Sequence, residues 1–240
     1  MIILRKLIYV VLPLIICFLI FIYTLNSHTI VNTVRQTEQN YNLPIIIIDA
    51  GHGGFDGGAV ASDGTVEKDI NLSIALYLQE YLSLFNIKTV MIRETDSSVE
   101  DDGLNTIRQK KSSDLHNRMK TMEETDNAIF ISIHQNKYHD PKYSGTQVFY
   151  SPKTKEKSSA LAQSIQDCIV NTLQKDNKRQ IKECGTSVFL MYNAVKPAVL
   201  VECGFLSNIE ETNELKTPEY QKKIAFCIAI GIQNYLSTRS

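Results

Sequence analysis

The sequence predicts an α/β fold: a single domain with a twisted, mostly parallel central sheet flanked by helices, preceded by an N-terminal transmembrane or signal helix. Three observations carry this prediction. Strand-like and helix-like segments alternate along the chain, the order of a layered fold with parallel strands. The first strand candidate is apolar at consecutive rather than alternate positions, as a strand covered on both faces must be. The segments between strands repeat their apolar residues every three or four positions, the period of a helix with one buried stripe.

The elements follow in order. Residues 7–25 are 19 positions without a charge, preceded by Arg5 and Lys6. A helix of that length spans nearly the whole hydrocarbon layer of ~30 Å, and the basic pair holds the short N-terminal flank inside. Thr24-Leu25-Asn26-Ser27 is a poor cleavage site, so residues 1–25 read as a signal anchor, with a cleaved signal peptide as the alternative. Cys17 lacks the small neighbours of a lipidation site. Residues 26–43 are polar and aperiodic, a linker, and residues 44–240 form the domain. Within it, residues 44–49 (Pro44 and four isoleucines running into Asp49) are a buried strand. Residues 69–85 form a helix, with Ile70, Ile74, Leu78, Leu82 and Phe85 on one face. Strands follow at 88–92 and 128–133, then a helix over 158–173 marked by Leu161, Ile165, Cys168, Ile169 and Leu173. Short strands at 187–191 and 198–202 and a helix over 220–236 close the chain. Residues 94–117 break the rhythm, with Glu100-Asp101-Asp102 ahead of Arg108, Lys110 and Lys111. A connection that long is either functional or a solvated insertion.

Composition narrows the function classes. With 43% hydrophobic and 21% charged residues the chain is of ordinary globular type, and its net charge of −1 offers no cationic field for nucleic acid. Five cysteines, an odd number without CxxC spacing, exclude a disulfide scaffold and a cysteine-ligated zinc site. Cys168 and Cys227 fall on apolar helix faces and read as core.

The chemistry gathers where strands end. Asp49-Ala50-Gly51-His52-Gly53-Gly54 follows the first strand directly, and in an open α/β sheet ligands collect outside the carboxyl ends of strands. Neither G-x-G-x-x-G nor Gly-Lys-Ser/Thr follows, so phosphate binding is weakly supported. Glu67 opens the next helix, where an acid can also serve as a dipole partner. His134 ends the strand over 128–133. Two histidines and one carboxylate on one rim make a three-ligand zinc site with a fourth position left for water, the pattern of catalytic zinc. Glu202 ends another buried strand, where an unpaired carboxylate is costly for structure alone. Beside such a site it can accept the proton of an attacking water.

These stretches, with Glu67-Lys68-Asp69-Ile70-Asn71-Leu72, Ser132-Ile133-His134-Gln135-Asn136 and Val201-Glu202-Cys203-Gly204-Phe205-Leu206-Ser207-Asn208, resemble the zinc-dependent N-acetylmuramoyl-L-alanine amidases of bacterial cell walls. The resemblance covers about residues 44–236, and Arg93 and Arg118 match arginines of the family pattern. It implies that His52, Glu67 and His134 hold one Zn2+ per chain and that Glu202 is the catalytic glutamate. It further implies that the substrate is the glycan strand of peptidoglycan with its stem peptides. A finer resemblance, through residues 99–115, His134-Gln135-Asn136 and Gly145-Thr146-Gln147-Val148-Phe149-Tyr150, is to the sporulation-associated, CwlD-type members. These act in forming muramic-δ-lactam in spore cortex, which points to the forespore intermembrane space as one setting for an exported chain.

Alternative readings stay open at this level. Asn136 and Arg93 are candidate substrate contacts, although Arg93 could equally form a structural ion pair. Asp49 and Asp56 are candidates to orient a zinc histidine, with turn chemistry an equal account of Asp56. His28, His116 and His139 sit in polar surroundings and read as surface residues. Glu67 and Glu202 could instead be a glycosidase carboxylate pair. The chain could also be a silent, wall-binding member of the fold, or an enzyme awaiting a protein activator with residues 94–117 as control element.

Overall fold

In a computed structural model, which describes residues 18, 21–23 and 43–238, the isoleucine run becomes strand β1 (Ile45–Ala50). Ile46, Ile47 and Ile48 are fully enclosed, so both faces are covered, as continuous apolarity requires. β1 pairs in parallel with β2 (Thr89–Met91) on one side and with β3 (Ala128–Asn136) on the other. β3 in turn pairs in parallel with β6 (Ala198–Phe205). Beyond β6, β4 (Gln147–Tyr150) runs antiparallel and β5 (Lys182–Glu183) lies parallel to β4. The sheet is therefore mixed, in the order β2-β1-β3-β6-β4-β5, with one antiparallel pairing in a mostly parallel frame.

Among the described residues of the domain, six helices flank it: α1 (Glu67–Leu84), α2 (Ile107–Glu124), α3 (Lys155–Thr172), α4 (Phe189–Asn193), α5 (Ile209–Leu215) and α6 (Pro218–Ser237). Alternation along the strands sorts the side chains. Ile47, Phe130, Ala198 and Leu200 pack with Met119 and Met122 of α2 and with Leu190 and Met191 of α4. Gln135 points the other way and donates to Asn71 of α1, so α1 covers the opposite face, with α6 packed on α1 and α3. Residues two apart share a face, which puts His134 and Glu202 on the α2–α4 side. The register makes them neighbours across β3 and β6.

The structure corrects two expectations. Residues 107–124 are a helix, not part of a long connection. Only Arg118, Met119 and Met122 of α2 are buried, so no apolar stripe betrays it, and its one legible signal is the capping box of Thr106 and Gln109. Residues 187–191 were expected as a strand, yet Phe189–Asn193 is a helix that buries Leu190 and Met191. A four-residue apolar run cannot separate the two by period.

The chain divides into the units Met1–Leu43 and Pro44–Ser240. The expected anchor or signal segment (1–25) and the linker (26–43) fall almost wholly outside the described residues. Those at 18 and 21–23 are helical and exposed. Among the described residues no helix is long and apolar enough to cross a membrane.

Candidate active site

The site forms where β1, β3 and β6 end. After Ala50 the chain turns through Gly51 and His52, the latter at φ 62°. Gly51 is required by a close approach: a Cβ there would lie 2.1 Å from His134 Nε2. Gly58 serves likewise, since its Cβ would meet Glu67 Oε2 at 2.5 Å and the His52 ring at 2.6 Å. The loop can pass between the two imidazoles and the carboxylate only without side chains.

Glu67 is the first residue of α1, its carboxylate buried at the centre. Its Oε1 lies 2.9 Å from His134 Nδ1 and 3.3 Å from His52 Nε2. Oε1 also accepts from Gln135 N at 3.1 Å and from Asn71 Nδ2 at 3.2 Å, while Oε2 accepts from Ala59 N at 2.8 Å. The donor atoms of His52, Glu67 and His134 all lie within 4.8 Å of one another. Ligands about 2.0–2.1 Å from a tetrahedral ion stand about 3.3 Å apart, so the separations from Oε1 suit ligands sharing one ion. The donor chemistry, two imidazoles and a carboxylate, suits zinc.

Charge reinforces the arrangement. Burial alone would raise Glu67, but His134 and His52 hold its carboxyl far below the usual range. Burial alone would lower His52, yet Glu67 and Asp56 bring it up to about 9. Asp56 Oδ2 meets His52 Nδ1 at 2.9 Å, turning Nε2 toward Glu67, and Lys111 of α2 donates to Asp56 Oδ1 at 3.0 Å. Asp56 thus orients a zinc-ligand candidate, one of the two roles left open by the sequence. Asn71 and Lys111 were not singled out beforehand. Asn71 follows Glu67 by one helical turn, a spacing that could have flagged it, whereas Lys111 sits 55 residues from Asp56 and nothing local reports the contact.

Glu202 stands beside this cluster, in register with His134. Its Oε2 is buried with no hydrogen-bond partner among the described residues. Burial raises its carboxyl to about 7, opposed by His134 and reinforced by the charge of Glu67. An orphaned carboxylate poised near neutrality fits a proton acceptor. A cavity of about 190 Å³ opens next to the rim, lined by His52, Phe55, Asp56, Lys111, His134 and Leu190 among others. Asn136, two residues past His134, lines a second recess of about 250 Å³ with Tyr138, Tyr143, Gln147 and Arg179.

Two further candidates make the following contacts. Arg93, a candidate substrate contact, is 3% exposed. Its guanidinium donates to the carbonyls of Ala50 (2.8 Å), Thr95 (3.0 Å), Gly51 (3.1 Å) and Lys68 (2.9 Å). That placement makes it a clamp beneath the histidine loop, because buried carbonyls need donors and a planar fork reaches several at once. Among the described residues no hydrogen bond joins Asp49 to a histidine ring, although the charge of His134 acts on its carboxyl. Asp49 pairs with Arg118 and accepts from Ser132 Oγ at 2.6 Å, while Arg118 donates on to the carbonyls of His52 (2.8 Å) and Ala50 (3.1 Å). His116 and His139 are exposed.

Two part-buried imidazoles and a buried carboxylate at the carboxyl-end rim of the sheet, with a glutamate alongside that has one unpartnered oxygen, are the donor set of a hydrolase. The family model described as N-acetylmuramoyl-L-alanine amidase matches residues 46–234, and the chain belongs to that family. It is 36% identical over 195 residues to the germination-specific N-acetylmuramoyl-L-alanine amidase of Bacillus subtilis, covering 81% of each chain. Among solved structures it resembles the CwlD amidase of Clostridioides difficile, determined in complex with the GerS lipoprotein. That match has 41% identity and a TM-score of 0.78, over 81% of this chain and 99% of that one. The amidase AmiC2 of Nostoc punctiforme matches at 28% identity and TM-score 0.68, over 81% and 97%.

Proposed function

We propose that this amidase is zinc-dependent and cuts the amide between N-acetylmuramic acid and L-alanine in peptidoglycan, during spore cortex maturation (muramic-δ-lactam formation) and germination. The observation that carries the reading is Glu202, its Oε2 unpartnered, in register with His134 of the three-donor cluster. His52 Nε2, Glu67 and His134 Nδ1 would hold the ion. When bound, zinc supplies Lewis acidity to the scissile carbonyl and to the attacking water. Glu202 takes the proton from that water as it attacks the lactyl carbonyl, then returns it to the departing alanine nitrogen. Asp56 keeps Nε2 of His52 aimed inward, and the Arg93 and Arg118 clamps fix the loop that carries it.

The cortex setting is supported by the germination-specific and CwlD relatives. Export and a membrane tether are supported by the uncharged run over 7–25 behind Arg5 and Lys6. A protein activator is supported by the CwlD amidase having been solved with a lipoprotein. α2 offers that activator a route to the site, because Lys111 reaches Asp56 from a largely exposed helix.

The test is digestion of purified peptidoglycan by the full chain with zinc, read by the masses of released fragments. Free stem peptides together with glycan strands bearing bare lactyl groups are expected. New reducing ends without stem peptides would overturn the amide assignment. Full activity after exhaustive chelation would overturn zinc dependence.

A further inference from the structure

Two cysteines on the helix layer remote from His134 and Glu202 have no part in this chemistry. α3 and α6 run antiparallel, as three contacts show. Gln174, just past the end of α3, donates to Tyr220 OH at 2.8 Å near the start of α6. Ser164 Oγ donates to the Gly231 carbonyl at 2.7 Å. Between these, Cys168 and Cys227 face each other, their thiols within hydrogen-bonding reach. One turn along α3 from Ser164, and one turn back along α6 from Gly231, the register demands that pairing. The crossing is also close. A Cβ on Gly231 would lie 2.6 Å from the Ile165 Cα, so glycine lets the two backbones meet there. Cys168 is half-buried and Cys227 is 2% exposed.

We propose that Cys168 and Cys227 form a dithiol site that closes, by exchange with a small-molecule disulfide, into a cross-link clipping α6 to α3. The register and the glycine contact hold the two side chains opposed at short range, which an interhelical disulfide requires. The order of events follows from exposure. Cys168 is the accessible thiol, and hydrogen bonds from Cys227 and Thr172 bring it to about 7 against the opposing effect of burial. Its thiolate attacks one sulfur of the incoming disulfide; a mixed disulfide forms as the external sulfur–sulfur bond breaks, and the departing thiolate takes up the proton that Cys168 had released. Cys227 keeps its proton while Cys168 is a thiolate, because that sulfur accepts its hydrogen bond. Once Cys168 is capped, Cys227 gives up its proton and attacks the Cys168 sulfur, expelling the second thiol. Two protein thiols are oxidised and one external disulfide is reduced to two thiols. In the extracytoplasmic setting proposed above, disulfides persist, and the clip fastens the last helix to the body of the domain across the 59-residue interval between the two cysteines.

The test incubates the full chain with excess glutathione disulfide, then maps the thiols by peptide mass and records Tm before and after. Expected is a peptide linking Cys168 to Cys227, absent from Cys168→Ser and from Cys227→Ser, with no lasting glutathione adduct at either position. Tm of the linked form should rise by about 5 °C or more. A stable glutathione adduct at Cys168 with Cys227 free would overturn the proposal. So would two unmodified thiols after prolonged incubation, or a linked form that melts below the reduced one.

Discussion

Glu202→Gln separates the two consequences of burying a carboxylate beside the cluster. Gln keeps the volume and removes the charge. Burial raises Glu202 from 4.5 to about 7, which corresponds to on the order of 3 kcal/mol of stability. For an acid whose pKa is raised by folding, the folded chain holds a proton that the unfolded chain releases between those two values. The group's contribution is therefore fully present below pH 4.5 and is lost as pH rises through 7. With metal chelated, wild type and Glu202→Gln should melt together near pH 4.5. The variant should then melt progressively higher, by roughly 6–10 °C at pH 8 for a domain of this size. Amide hydrolysis by the zinc-loaded variant should fall about 10²–10⁴-fold, the usual scale for general acid–base help. The measurements are scanning calorimetry across pH with chelator, and release of stem peptides from peptidoglycan with zinc. A melting difference independent of pH would refute the burial argument. Activity within tenfold of wild type would refute the proton-transfer role.

Other perturbations probe the frame around it. Gly51→Ala sets a methyl 2.1 Å from His134 Nε2, so the ring must move, and elemental analysis of the purified variant should find little zinc; a full complement would show that the loop yields instead. Asp56→Asn, which loses the carboxylate on His52 Nδ1, should weaken zinc affinity about 10–100-fold in a chelator competition, and unchanged affinity would remove Asp56 from the centre. Arg93→Lys leaves several buried carbonyls without donors and should lower Tm by several degrees with KM little changed. A raised KM at unaltered Tm would instead make Arg93 a substrate contact.

Much of this site was legible because its residues sit where strands stop. The isoleucine run announces β1, so Gly51 and His52 must lie just past a strand's carboxyl end, and His134 and Glu202 close or nearly close their own apolar runs. What stayed hidden depends on direction and distance. A sequence does not say whether Arg93 reaches outward to a ligand or down to the carbonyls of Ala50 and Gly51, since both suit an arginine at a strand end. Lys111 lies on a helix whose buried face is three residues wide, too little for a period, so α2 is marked only by its capping box and its contact with Asp56 by nothing local. β4 is four residues long and pairs antiparallel with β6, and its partner is chosen by tertiary packing rather than by any local pattern.

The two carboxylates themselves distinguish an amidase centre from a glycosidase pair. A glycosidase needs one carboxyl kept protonated to feed the leaving oxygen and a second kept ionised. Glu67 is ill-suited to be that acid: four groups donate to or face its two oxygens from His134, Gln135, Asn71 and Ala59, and the two histidines hold its carboxyl far below the usual range. Nor is it placed to attack sugar carbon, because those same donors and His52 surround it. That environment supports its proposed role as a ligand. Glu202, with one oxygen unpartnered and its carboxyl brought to about 7, is the group free to exchange a proton near neutrality. Environments that push two like groups apart separate their tasks, and here they support the proposal that one carboxylate holds a cation and the other moves a proton, the division that hydrolysis of an amide requires.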